Sequence, residues 1–126
     1  MPLETIALHD GTVSFEPNRE YLLVGNFRKL ELVYREIGPF IKLLGTADKG
    51  SAELTLANHI SVLEQMRHSV RSALTSGNLN GATSEAWGEL HTVQKTLGVL
   101  YQARDALHGT AIIVPDKIEE PAYAQV

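Results

Sequence analysis

Residues 82–108 read ATSEAWGELHTVQKTLGVLYQARDALH. Ala86, Leu90, Val93, Leu97, Leu100 and Leu107 fall on steps that alternate four and three residues. That is the period of a helix seam packed against other helices. Arg104 stands where one more apolar residue is due, and Trp87 and Tyr101 flank the seam one position on. The apolar stripe is therefore wider than a two-stranded coil needs. A helix over 82–108 is expected at the centre of the molecule, and every other segment is placed by asking what covers it.

The preceding segment, 52–76, carries the same alternation: Leu56, Ile60, Leu63, Val70 and Leu74, interrupted by Arg67. Ser51 or Asp48 supplies an N-cap and Gly77 a C-cap. A short connection between two such helices predicts antiparallel neighbours. The expected core of this pair is Leu63, Val70, Leu90, Val93, Leu97 and Leu100. In that arrangement Arg104 lies near Glu53, which would pair its charge.

Leu23, Phe27, Leu30, Tyr34, Ile37, Ile41 and Leu44 repeat the pattern further upstream. With Asn18 as N-cap and Glu20 in the first turn, they predict a helix over 18–45. Gly38-Pro39 should kink or break it and leave a short helical piece over 39–44. Val24, Leu32 and Val33 lie off that seam and need a second cover.

Residues 5–15, TIALHDGTVSF, alternate around Asp10-Gly11. A two-residue turn there predicts a hairpin in which Leu8 faces Val13 and Ile6 faces Phe15, all on one side. Beyond the last helix, 111–114 is a candidate third strand stopped by Pro115, and 115–126 reads as an extended tail. The expected architecture is mainly α: an antiparallel three-helix bundle with a small N-terminal β-hairpin, one domain over 1–126.

The chain has 126 residues, a formal net charge of −4 and no cysteine. The charge argues against a nucleic-acid surface, which is usually basic. Disulfides, thiolate nucleophiles and cysteine-based metal sites are excluded. The N-terminus has neither the basic start nor the apolar core of a signal peptide, and no apolar run approaches the ~18 residues of a membrane span. A soluble, cytoplasmic protein is expected.

Catalytic motifs are missing from the sequence. It contains no HExxH, no GxSxG and no glycine-rich phosphate loop. His59 and His68 are nine residues apart, on opposite faces of their helix, and cannot share a metal. Glu64 and His68, four apart, read as a surface polar pair. An exposed histidine on a bundle helix also marks histidine-phosphotransfer domains, but Lys95 and Gly98 stand at the wrong offsets from His91. No cofactor, metal site or pair of acid–base carboxylates is called for, and a non-enzymatic protein is expected.

Two features remain. Arg67, His68 and Arg71 cluster late in the second helix as a candidate anion contact; basic groups there also complement the helix dipole. Gly88, Thr92, Val99 and Ala106 form a small-residue face on the third helix where a solvated face would carry Lys and Glu. Together with Leu32 and Val33 they are the candidate interface, with the first or third helix at its centre. The expected function is a non-catalytic assembly or adaptor protein that self-associates, most simply as a dimer, or binds another protein. The alternative is a small-ligand or ion binder with a site between helices.

Overall fold

The structure is a computed structural model and describes residues 3–77 and 83–108. The element order is β1 (Glu4–Ala7), β2 (Thr12–Phe15), β3 (Tyr21–Asn26), β4 (Glu31–Arg35), α1 (Gly38–Thr46), α2 (Lys49–Ser76) and α3 (Thr83–His108). The protein is mainly α, with two small antiparallel hairpins, β1–β2 and β3–β4, that form separate two-stranded sheets. The candidate strand at 111–114 and the tail at 115–126 lie outside the described residues.

The helix expected over 18–45 is not formed. Residues 21–35 make the second hairpin instead, and only α1 is helical in that span. Tyr21, Leu22, Leu23 and Val24 are all buried, so β3 is covered on both faces. A strand covered on both faces is a continuous apolar run without alternation. Only Leu23 of that run stood on the expected helical seam, whose other members fall in the turn, in β4 and in or next to α1. Asn18 does not cap a helix; it takes a left-handed backbone (φ 58°) between the hairpins, a conformation its short polar side chain tolerates. At the tip of β3–β4, the Asn26 side chain accepts the Arg28 N–H at 2.9 Å, and Leu30 turns through φ 51°. Gly38-Pro39 starts α1 rather than kinking a longer helix, since proline is well suited to a first turn.

The first hairpin forms with a different pairing from the one expected. Ile6 stands opposite Val13 and Ala7 opposite Thr12. The Leu8 N–H donates to the Gly11 carbonyl at 2.8 Å, so the chain turns at His9-Asp10, one residue earlier than predicted. Pairing therefore moves by two residues and every side chain keeps its face. Leu8, Val13 and Phe15 are buried, while the Thr5 and Ser14 hydroxyls bond at 3.0 Å on the other side. Gly11 is not needed for a positive φ. It is needed because α3 passes so close: a Cβ there would sit 3.0 Å from the Ala106 Cα.

Asp48 caps α2, accepting the Ser51 N–H at 3.0 Å and the Ser51 hydroxyl at 2.8 Å. These bonds hold its carboxyl below the usual carboxylate range. Gly77 closes the helix in the left-handed region. Along α2 and α3, Glu53 meets His108 at 2.8 Å, Glu64 meets Tyr101 at 2.6 Å, and Leu74 shares a groove with Leu90. Leu56, Ile60 and Leu63 are buried with Leu90, Val93, Leu97, Leu100 and Leu107. Val70 and Leu74 are only half-buried, so the core thins toward the Gly77 end. Among the described residues, no helix is long and apolar enough to cross a membrane.

Candidate functional site

α3 carries a second buried face. The Leu22 N–H of β3 donates to the Thr96 hydroxyl at 3.0 Å, and Thr96 passes its own proton to the Thr92 carbonyl at 2.8 Å. Gln102 pairs with the backbone of β2: its Oε1 accepts the Ser14 N–H and its Nε2 donates to the Ser14 carbonyl, both at 3.1 Å. At the turn, the Asp10 N–H donates to the Ala106 carbonyl at 2.9 Å. Helical spacing sets Val99 and Ala103 between these anchors, and both are buried. Each hairpin therefore turns one edge toward α3, where a side-chain amide or hydroxyl satisfies groups that water would otherwise have to reach.

The residues expected at an interface are placed differently. Val99 and Ala106 are covered by the chain's own hairpins and do not offer a surface for a second molecule. Their small size is explained by the close approach of the hairpins. Thr92 is half-buried with its hydroxyl on the Gly88 carbonyl, and Gly88 is exposed with open space above it. Leu32 and Val33 are not on a helix; they lie half-buried on β4. Around them Leu30 is 67% exposed, Tyr34 49% and Phe27 40%. β4 pairs with β3 on one side, and among the described residues no other strand pairs with its outer side.

Arg67, His68 and Arg71 are brought to one surface groove of about 360 Å³, which Glu64, Ser72 and Thr75 also line. Glu64 is not a partner reserved for His68, because its Oε2 accepts the Tyr101 hydroxyl at 2.6 Å. Burial raises the Tyr101 pKa, and the Glu64 carboxylate adds to the shift while Arg67 opposes it. Arg104 does not meet Glu53. It stacks over the Tyr101 ring at 4.9 Å, and Glu53 takes His108 instead. The two arginines on the helix seams thus border one Tyr101–Glu64 contact, each with its guanidinium turned to Tyr101.

His59 is a feature that sequence periodicity passed over. It is buried on α2, its Nδ1 3.0 Å from the Thr55 carbonyl, between the rings of Phe27 (5.0 Å) and Phe40 (4.6 Å). Burial pushes its pKa down, and the carbonyls of Thr55 and Val24 oppose that shift. It ties the second hairpin and α1 to α2. Among the described residues there is no cluster of His, Asp and Glu side chains able to hold a metal ion.

Comparison of the chain with protein-family models, curated proteins and solved structures returned no match.

Proposed function

We propose that this chain is a non-catalytic assembly or adaptor protein that acts through protein contacts and associates with itself. In this reading α2 and α3 form an antiparallel pair, and the hairpins are docked on it as a presentation surface. The observation that carries the reading is β4. Its outer side is unpaired among the described residues, its centre Leu32-Val33-Tyr34 is apolar with Tyr34 exposed, exposed Leu30 precedes it, and its hairpin is tied to α3 through Thr96. An unprotected strand edge of this kind is a template for pairing with another chain. Size-exclusion chromatography with light scattering, run over rising concentration, tests it. A discrete oligomer is expected. A protein that stays monomeric at hundreds of micromolar refutes self-association.

A second reading, a binder of small anions, draws on the groove of Arg67, His68 and Arg71. Glu64 on the same groove opposes an anion, which is why this reading ranks below the first. Titration with inorganic phosphate, followed by His68 ring chemical shifts, tests it; no saturable change refutes it.

A further inference from the structure

The direction of one hydrogen bond fixes which groups β4 presents. The Leu22 N–H points away from β4, to Thr96. In an antiparallel ladder successive residues turn their peptide groups alternately toward and away from the partner strand. Leu22 and Tyr34 are opposite each other, and so are Val24 and Leu32. Both are therefore non-hydrogen-bonded pairs, and the N–H and C=O groups of Leu32 and Tyr34 point away from β3, to the side on which no described strand pairs. Any strand that joins this edge must bond through those two residues.

We infer that the strand that joins it is β4 of a second copy, antiparallel, about a two-fold axis at Val33; this rests on the self-association proposed above. The strand reads Glu31-Leu32-Val33-Tyr34-Arg35, which is complementary to its own reverse. The axis at Val33 sets Leu32 opposite Tyr34 of the other copy, so the outward peptide groups of both meet. It sets Val33 against Val33 and Glu31 against Arg35, at the non-hydrogen-bonded positions where side chains come closest. A slip of one residue turns outward groups toward inward ones and makes no ladder. A slip of two keeps the ladder but spoils the charges. In one direction Lys29 faces Arg35, and in the other Arg35 faces Val33. Only the Val33 register satisfies the backbone and the charges together. The contact is isologous, the commonest symmetry of soluble oligomers, and it joins two two-stranded sheets into one. It also covers Tyr34, an exposed aromatic. β4 carries neither proline nor lysine, two residues that blunt free edges.

Sedimentation equilibrium on the full chain and its variants tests the register. Glu31→Arg alone, or Arg35→Glu alone, puts like charges opposite each other at both ends of the contact. Each should weaken the dimer by about tenfold or more. Mixing the two variants restores opposite charges and should restore association as a heterodimer. Tyr34→Pro removes an N–H that β3 does not use, so the hairpin should survive and the dimer should not. If that variant unfolds in a circular dichroism melt, the charge variants carry the test. Val33→Cys gives the chain its only thiol. Mild oxidation should link it into a covalent dimer, while Glu31→Cys, far from its own symmetry mate, should not link. A wild-type dimer that resists both charge variants, or Val33→Cys that does not cross-link, overturns the β4 register and leaves self-association standing. A monomeric wild type overturns both.

Discussion

Replacing Thr96 by valine removes one oxygen from the middle of the molecule and nearly nothing else. Thr96 is fully buried, and its hydroxyl is the acceptor for the Leu22 N–H at 3.0 Å. Valine has the same shape and a similar helix propensity. The bond from Thr96 to the Thr92 carbonyl is a lesser loss, since that carbonyl still takes the helix hydrogen bond. What is left is a buried backbone donor without a partner, which costs about 1–3 kcal/mol. The added methyl returns part of this, at roughly 0.8 kcal/mol per buried carbon. A net loss of about 1–2 kcal/mol is expected, against a total stability on the order of 5–15 kcal/mol for a domain. Urea unfolding reads it as a lower midpoint with an unchanged slope. Thr96→Ser keeps both hydrogen bonds and loses a methyl, so its cost is of similar size, about 0.5–1.5 kcal/mol. Stability alone does not separate the two variants, but amide exchange does. Protection of the Leu22 N–H should fall in Thr96→Val and persist in Thr96→Ser. A valine variant as stable as wild type, with Leu22 still protected, would show that β3 is not held to α3 through this bond.

Gly11→Ala forces a Cβ to within 3.0 Å of the Ala106 backbone and should cost more than about 1 kcal/mol in a thermal melt; a neutral result would mean the first hairpin does not approach α3 so closely. Leu97→Ala empties a site that is only 1% exposed between α2 and the rest of the core, and a loss of roughly 2–5 kcal/mol is expected by denaturation. His59 is held neutral by burial, so its folded pKa lies below the ordinary value near 6.5. The unfolded chain then binds the proton more readily, and stability should be full above that pH and decline as the pH falls through the window down to the folded value. The difference in urea midpoint between wild type and His59→Phe, followed from pH 7.5 to 5, should shrink or reverse as acid is added. A difference independent of pH would assign the histidine no such role.

The α2–α3 seam was legible because its four-three steps are long and each helix is apolar on the side that meets the other. The hairpin at 5–15 was legible for its faces and not for its turn. Alternation sets which side chains point inward, but Asp10-Gly11 was read as turn chemistry when Gly11 answers instead to the Ala106 backbone. The second hairpin was hidden for a related reason. Four consecutive buried residues, Tyr21 to Val24, erase the alternation that marks a strand. Gly25-Asn26 stood inside the expected helix and in fact ends β3 just before the turn, and Val24, Leu32 and Val33 were surplus to the helical seam. Those two conflicts together pointed to a strand–turn–strand unit.

The small residues of α3 show how a correct observation led to the wrong partner. Of the residues read as out of place on a solvated face, Gly88, Thr92, Val99 and Ala106, the structure buries Val99 and Ala106, and for these two a close neighbour is the right inference. Periodicity reports that a face is covered without reporting by what. Here the cover is two hairpin edges, and an edge brings unpaired peptide groups as well as apolar side chains. A face made only of small apolar residues would strand those groups. Thr96 and Gln102 are the polar exceptions, and each meets a strand backbone. Polar side chains on such a small-residue face therefore mark where another backbone lands. β4 has peptide groups of the same kind, unmet among the described residues. Its inner groups are used by β3, its outer groups at Leu32 and Tyr34 are not used by any described residue, and the side chains between them complement their own reverse. The surplus apolar surface that first suggested self-association is thus relocated from α3, where the fold consumes it, to a strand edge where it remains.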